Sequence, residues 1–208
     1  MDADLPNAAQ RRRAVTIAGH TGDLATARAA LTDDDSGVRN AALGALERLG
    51  RLTDDELVAA FGDPTVDVRR RAAEVAATHP TVDLVPLLDD VDARVIEVAA
   101  WSCGEHESGR SEIVERLLSL ATDADEPLVR ESAVAALGAI GDERAIEVVI
   151  AATSDKPAVR RRAVLALAPF IGHDDRGDDV DEAIDRALED RDWQVRQAAE
   201  DLRRITAE

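Results

Sequence analysis

Apolar residues recur at intervals of three and four along much of the chain, with polar and charged residues between them. After Val38, the next apolar positions in this register are Ala42, Leu46 and Leu49, which follow four, eight and eleven residues later. That spacing places them on one face of an α-helix. A shorter apolar segment at 24–31 precedes this one. The pattern therefore predicts two consecutive helices, each with one buried face.

The same pattern of a short and a longer apolar segment recurs along the chain. Each copy predicts a pair of helices, and the longer segment is the second helix of the pair. Its first buried position is a valine in every copy: Val38, Val68, Val95, Val129, Val159 and Val195. Successive valines are 30, 27, 34, 30 and 36 residues apart. The shorter segments lie at 24–31, 57–61, 82–88, 113–121, 145–152 and 183–188. Because one helical hairpin cannot bury its own apolar face, we expect the hairpins to stack.

Turn residues mark the predicted ends of these helices. Gly50, Gly141 and Gly172 follow second helices, at positions where glycine can adopt a positive φ. Pro127 and Pro157 stand near helix starts, where a missing N–H costs nothing. The prediction is one repeat domain over 1–208, with a cap helix at 6–19. The predicted repeats cover about 22–50, 53–79, 81–106, 111–141, 143–172 and 180–206.

Two features of the repeat resemble HEAT repeats, in particular the short kind named after phycobilisome lyases. One is Val-Arg followed by alanine three or four residues later, as in Val38, Arg39 and Ala42. The other is an aspartate six residues before the arginine: Asp33/Arg39, Asp63/Arg69 and Asp190/Arg196. The resemblance covers roughly 7–205. It implies an all-α fold, a right-handed α-α superhelix of about six hairpins plus an N-terminal cap.

In HEAT repeats such pairs form a ladder between adjacent repeats, so the resemblance implies a structural ladder here. Its expected members are Asp33, Arg39, Asp63, Arg69, Arg130, Arg160, Asp190 and Arg196. The repeat at 81–106 has Asp90 but carries Ile96 in the arginine position. The next two repeats have Ala124 and Ser154 in the aspartate position, with acidic neighbours at Asp123, Asp125 and Asp155 as substitutes. An arginine fork can bind a carboxylate and a turn carbonyl together.

The formal net charge is -18, and Lys156 is the single lysine among 25 basic residues. Such an aspartate-rich, lysine-poor composition is similar to that of cytosolic proteins from salt-accumulating halophiles. Because like charges repel over longer distances in dilute buffer, we expect lower thermal stability there than in molar KCl. The acidity argues against nucleic-acid binding driven by counterion release, although that release contributes little in molar salt.

The sequence indicates neither a targeting signal nor a disulfide. The N-terminal stretch MDADLPNAAQRRR lacks the apolar core of a signal peptide, and no apolar run approaches the ~20 residues of a membrane span. Cys103 is the only cysteine, so an intrachain disulfide is impossible. Cys103 also falls at the core position equivalent to Leu46, which predicts a buried thiol. We expect a cytoplasmic protein.

No group of residues predicts catalysis. The histidines are His20, His79, His106 and His173, and only His106 is followed by glutamate, Glu107. One His-Glu pair cannot form the iron site of a helical-repeat hydroxylase, so we expect a histidine in a solvated hairpin turn. The acidic stretch 173–181 lacks the ligand spacing of a calcium loop and is expected to be a solvated loop. We predict no catalytic residue, no metal, no cofactor and no enzyme.

The candidate binding surface lies on the second helices, which line the concave side in HEAT solenoids. Counted from the valine, positions two, six and nine point away from the buried stripe, by the 100° helical step. In the middle repeats position six is Trp101, Ala135 and Leu165, and position nine is Gly104, Gly138 and Ala168. The predicted partner-binding residues are Arg70, Glu97, Trp101, Glu131, Ala135, Arg161 and Leu165. The alternative is that small residues only permit close packing and that Trp101 fills a gap.

These features favour a non-enzymatic scaffold or adaptor that binds a protein partner along the concave face. Two alternatives stay open. One is an enzyme-associated subunit similar to the bilin lyases or chaperones that share such repeats. The other is nucleic-acid binding through Arg70, Arg71, Arg161 and Arg162. The identity of the partner, the pathway, the oligomeric state, the exposure of Trp101 and the binding of a cation by the acidic stretch 173–181 also stay open.

Overall fold

All regular elements in the described part of the chain are helices. The computed structural model describes residues 6–106 and 109–206, and these ranges contain no β-strand. The chain divides into two compact units, unit 1 (Met1–Asp83) and unit 2 (Leu84–Glu208). The prediction of an all-α fold is confirmed, while the single repeat domain over 1–208 stays a prediction.

Long and short helices alternate in unit 1. They are α1 (Ala8–Thr21), α2 (Leu24–Ala29), α3 (Ser36–Arg48), α4 (Asp54–Phe61) and α5 (Val66–Ala76). The long helices are the second members of the hairpins, and α1 packs along α3 as α3 does along α5. Asn7 and Thr53 start α1 and α4 with reciprocal side-chain bonds to the third residue of the helix. Such capping satisfies backbone N–H groups that have no partner inside the helix.

Unit 2 also consists of first and second helices in turn, although its first helices α8 and α12 are as long as second helices. Its helices are α6 (Val85–Leu88), α7 (Ala93–Glu105), α8 (Ser111–Asp123), α9 (Pro127–Ile140), α10 (Ile146–Ala152), α11 (Pro157–Ala166), α12 (Gly177–Leu188) and α13 (Trp193–Thr206). The second helices α7, α9, α11 and α13 pack each against the next. On their other side, α8 contacts α9 and α12 contacts α13.

The predicted turn glycines adopt the left-handed backbone. The φ angles of Gly50, Gly141 and Gly172 are 60°, 69° and 74°, so the prediction is confirmed. A side chain at these positions would meet the steric penalty that glycine avoids. Pro127 and Pro157 are the first residues of α9 and α11, as their missing N–H groups allow.

The repeating valines form the centre of the core. All six are between 0% and 2% exposed: Val38, Val68, Val95, Val129, Val159 and Val195. Ala42 and Leu46 continue the buried stripe of α3, each at 0%. Cys103 is also at 0%, which confirms the buried thiol.

Position nine of the second helices does not point into solvent in α7 and α9. A Cβ built on Gly104 would lie 3.1 Å from the Ala136 Cα, and one built on Gly138 would lie 2.7 Å from the Ala166 Cα. The glycines therefore let the backbones of neighbouring second helices approach closely. The outward orientation expected for Gly104 and Gly138 is wrong, because position nine faces the next helix along the stack.

The acidic stretch 173–181 is not wholly a loop. Helix α12 begins at Gly177, and Asp178 and Asp179 lie in its first turn. The Nε of Arg176 donates to the Oδ2 of Asp179 at 2.7 Å, and the Nη1 of Arg203 donates to the Oδ1 of Asp181 at 2.6 Å. Carboxylates in a first turn interact favourably with the helix dipole. The expectation of a solvated loop is therefore wrong for the second half of this stretch.

Candidate interaction surfaces

Arg39 links two hairpins of unit 1 with its whole guanidinium group. Its Nε and Nη2 donate to the two carboxylate oxygens of Asp63 at 2.7 and 2.8 Å, and its Nη1 donates to the Asp33 carbonyl at 2.8 Å. The Asp63 carboxylate also accepts the backbone N–H of Thr65 at 2.8 Å. Because a guanidinium fork matches a carboxylate in shape and charge, these bonds tie α3 to the turn before α5.

The same two-bond contact occurs elsewhere in each unit. It joins Arg11 to Asp33, Arg130 to Asp155 and Arg160 to Asp190, with N–O distances of 2.6 to 2.8 Å. Arg69 and Arg196 donate from Nη1 to the carbonyl oxygens of Asp63 and Asp190, at 2.9 and 2.6 Å. At Asp33, Asp63 and Asp190, the arginine six residues later thus binds the backbone carbonyl of the aspartate. The carboxylate binds an arginine of the preceding long helix, which is α1, α3 or α11.

The ladder contacts keep their carboxylates charged. The hydrogen bonds from Arg11 lower the pKa of Asp33 to about 2. The hydrogen bonds from Arg160 likewise lower the pKa of Asp190 below its ordinary value. Both shifts arise because a bonded guanidinium favours the ionised carboxylate. Protonation of these aspartates therefore requires a more acidic solution than it does in an unfolded chain.

A depression of about 450 Å³ runs along α7 and α9 in unit 2. Trp101 forms part of its wall and keeps 45% of its surface exposed. Ala135 and Gly104 line the same depression, which we call the Trp101 groove. Leu165 holds the same helical position on α11 that Trp101 holds on α7, and it is 42% exposed. Successive second helices thus present a large apolar side chain, a small one and a large one.

Charged side chains surround this apolar surface. Glu97, Glu105 and Glu131 line the groove together with Arg162. The Oε1 of Glu131 lies 3.9 Å from the nearest nitrogens of both Arg161 and Arg162. Among the described residues, the side chains of Glu97 and Glu105 form no hydrogen bond or ion pair. The groove therefore has two uncompensated carboxylates beside an exposed indole.

The predicted partner-binding residues fall into two groups. Glu97, Trp101, Glu131 and Ala135 line the Trp101 groove. Arg161 does not line the groove but lies 3.9 Å from the groove residue Glu131, and Leu165 lies on α11 of the same unit. Arg70 is an exposed residue of α5 in unit 1. Their role in binding a partner stays a prediction.

A second candidate surface lies on α1, α3 and α5 of unit 1. Two depressions of about 280 and 540 Å³ share Thr16, Asn40 and Ala41 in their linings. The arginines that line them are Arg12, Arg13, Arg48, Arg70 and Arg71, which we call the arginine face. The sequence shows the runs at 11–13 and 69–71, but it does not indicate Arg48. That residue is isolated in sequence and joins the others only through helix packing.

His79 lies between two carboxylates directly after α5. Its Nε2 is 2.9 Å from the Oε2 of Glu47, its Nδ1 is 3.0 Å from the Oδ1 of Asp54, and its side chain is 15% exposed. Burial by itself would lower the pKa of the imidazole, but the bonds to Glu47 and Asp54 outweigh burial and raise it. Sequence spacing does not predict this site, because its two carboxylates belong to helices that are 25 and 32 residues away from His79.

Two further observations concern metal ligands and membrane-spanning helices. Within 6–106 and 109–206, no three histidine, cysteine, aspartate or glutamate side chains converge as metal ligands would. Glu107, the partner of His106 in the only His-Glu pair, lies outside the described residues. In the same ranges, no helix has the length and apolar character needed to cross a bilayer.

Comparisons with known proteins find similarity to helical repeat proteins. The family described as HEAT repeats matches residues 81–168, which run from the turn before α6 through α11. The X-ray structure of the Escherichia coli protein YibA is similar with a TM-score of 0.71 and 20% identity, covering 97% of this chain and 78% of that one. An engineered protein gives 0.66 and 22%, with coverage of 86% and 96%. A designed armadillo repeat protein gives 0.60 and 20%, with coverage of 86% and 98%.

These likenesses define a HEAT- and armadillo-like repeat fold, which confirms the predicted solenoid of helical hairpins. No curated protein matches the chain. The narrower likeness to phycobilisome-lyase repeats and the halophile-like character receive no support from the comparisons. Because one fold of this kind hosts many functions, the function has to be argued from the two surfaces.

Proposed function

We propose that this chain is a non-enzymatic interaction scaffold that binds a protein partner in the Trp101 groove. The observation that carries the proposal is the exposure of Trp101, at 45%. A tryptophan that only filled a gap between helices would be buried, as Cys103 is on the same helix at 0%. Exposed aromatic side chains beside a depression are typical anchors of protein interfaces.

The charges of the groove favour a partner segment with a basic side chain. Glu97 precedes Trp101 by one helical turn on α7, so its carboxylate and the indole share a helix face. A guanidinium or ammonium group over the indole gains about 0.5 to 2 kcal/mol from the ring. The uncompensated charges of Glu97 and Glu105 add to that attraction. Leu165, on the next-but-one second helix, offers contact to an apolar residue of the same segment.

Defined peptides test this proposal. A labelled peptide that alternates arginine with leucine is titrated with the full chain, and binding is followed by fluorescence anisotropy. Trp101→Ala is expected to weaken binding about 30-fold, because the loss of an aromatic anchor costs about 2 kcal/mol. Trp193→Ala is the matched control, since Trp193 is 65% exposed and does not line the groove.

The outcomes distinguish specific binding in the Trp101 groove from nonspecific attraction of the peptide to the protein surface. Equal losses in the two tryptophan variants, or no binding of the arginine–leucine peptide, contradict the proposal. A glutamate–leucine peptide of the same length is expected to bind more weakly than the arginine–leucine peptide. The reverse order would retain the groove as a binding site but overturn the argument from Glu97 and Glu105.

A further inference from the structure

We infer that unit 1 carries a second binding site, in which the arginine face holds a carboxylate-rich peptide segment of a partner protein. This site goes beyond the proposed function, since the Trp101 groove lies in unit 2 and favours the opposite charge. The inference rests on the charges left uncompensated along α1, α3 and α5, on the room made for them, and on how this chain binds carboxylates elsewhere.

Among the described residues, four of the five arginines of this face form no ion pair, although carboxylates are abundant in the chain. The chain has 43 acidic residues against 25 lysines and arginines. Among the described residues, the side chains of Arg12, Arg13, Arg48 and Arg70 nevertheless form no hydrogen bond or ion pair. Arg71 alone binds a carboxylate, that of Glu74 at 2.8 Å. Like charges gathered on one face repel each other, and a bound anion relieves that repulsion.

The backbone of α3 makes room for this cluster. A Cβ built on Gly44 would lie 2.9 Å from the Nη2 of Arg71, so glycine lets that guanidinium rest directly over the helix. Arg12 and Arg13 extend the face along α1, and Arg48 and Arg70 complete it on α3 and α5. Three packed helices whose axes lie about 10 Å apart span roughly 20 Å. An extended peptide of about six residues covers that distance.

The ladder of this same chain shows which anion suits such arginines. Arg39 binds the carboxylate of Asp63 with two parallel bonds of 2.7 and 2.8 Å. That geometry is the preferred one between a guanidinium fork and a carboxylate. On the arginine face the forks of Arg48 and Arg70 are exposed and unbonded, so aspartate or glutamate side chains of a partner can complete them.

Nucleic acid fits this face less well than an acidic peptide does. Neither depression is lined by an aromatic residue, so no side chain there offers a platform for stacking a base. A duplex also carries one charge per ~1.7 Å along its whole length, and it would meet the carboxylates that give the chain a net charge of -18. A short peptide covers less of the acidic surface, although Asp67 and Glu74 also line the two depressions.

The test uses labelled hexaglutamate and the full chain, with binding measured by fluorescence anisotropy. Arg70→Glu is expected to weaken binding at least about tenfold in dilute buffer, because it removes one fork and adds a repelling charge. Arg51→Glu is the matched control, because Arg51 is also an exposed arginine of unit 1 and lines neither depression. That variant is expected to change affinity less than about twofold. Far-ultraviolet circular dichroism checks that both variants keep their helices.

Each outcome decides the inference. Binding that weakens between about 50 and 500 mM KCl, and that is lost in Arg70→Glu but not in Arg51→Glu, supports it. Equal losses in the two variants overturn it, because attraction would then follow total charge alone. Absence of hexaglutamate binding also overturns it. A short DNA duplex that binds more tightly than hexaglutamate, and loses binding in Arg70→Glu, would make the site a nucleic-acid site.

Discussion

Helix α3 of unit 1 and helix α9 of unit 2 bury equivalent residues but expose different chemistry. Their first stripe valines, Val38 and Val129, are 0% and 2% exposed. Position six is Gly44 in α3, where it leaves space for the guanidinium of Arg71. In α9 the same position is Ala135, which lines the Trp101 groove. The buried stripe is common to both units, whereas the outward positions are particular to each.

The arginines of the repeats also fall into two groups, those that form ladder bonds and those that are exposed and unbonded. Arg160 of unit 2 is 6% exposed and binds Asp190 with two bonds, so it holds hairpins together. Arg70 of unit 1 is exposed and unbonded, so it contributes little to the stability of the free protein. Similar Val-Arg-rich repeats thus contain both ladder arginines and exposed, unbonded arginines, and only the contacts in the structure distinguish them.

The largest expected effect is that of removing a ladder arginine. Arg160→Ala is expected to lower the free energy of unfolding by about 3 kcal/mol, because Asp190 then keeps a half-buried charge without its partner. Arg70→Ala is expected to change it by less than about 0.5 kcal/mol, as exposed residues without contacts do. Denaturant unfolding followed by circular dichroism measures both. Equal losses of stability in the two variants would remove the distinction between ladder arginines and exposed, unbonded arginines.

A smaller effect is expected at the glycines that face neighbouring helices. Gly138→Ala is expected to destabilise the chain by about 2 kcal/mol, because the new Cβ would lie 2.5 to 2.7 Å from Ala166 and force α9 and α11 apart. Gly44→Ala is expected to be neutral or to stabilise by up to about 1 kcal/mol, since the atom it meets is the movable end of Arg71. The midpoint of thermal unfolding orders the two variants. A lower midpoint for Gly44→Ala than for Gly138→Ala would contradict the distinction.

The periodic part of this structure is predictable from sequence. The spacing from Val38 to Leu46 identifies the buried stripe, and Gly50 identifies a helix end, because both depend on neighbours within about a dozen residues. The aspartate–arginine spacing also identifies ladder residues. It does not reveal that the Asp63 carboxylate accepts a hydrogen bond from Arg39 while the Asp63 carbonyl accepts one from Arg69. The first of these contacts joins two different hairpins, so the spacing within one repeat cannot indicate it.

The candidate surfaces are less predictable because they depend on contacts between helices. Position nine points away from the stripe on an isolated helix, yet Gly104 and Gly138 meet the next helix. Arg48 joins Arg12 and Arg70 only through the packing of α1, α3 and α5. The sequence allows two interpretations of Trp101, as part of a binding surface or as a side chain that fills a gap between helices. Its exposed fraction of 45% favours the first interpretation.

The smallest expected effect concerns position nine of α3, where Glu47 takes the place that Gly138 has in α9. Glu47 and Asp54 raise the pKa of His79 above its ordinary value of about 6.5, so the folded chain binds that proton more tightly than the unfolded chain. The stabilisation is therefore complete below about pH 6.5 and is lost as the pH rises through the raised pKa.

His79→Gln is expected to abolish this loss, while His20→Gln, at an exposed histidine of α1, retains it. The free energy of unfolding measured from about pH 6 to pH 9 tests the difference. An unchanged pH dependence in His79→Gln would show that the link between α3, α4 and the end of α5 does not depend on a charged imidazole. In that case Glu47 would make no stabilising contact with His79. The two units would then differ at position nine only because Gly104 and Gly138 of unit 2 allow close helix packing.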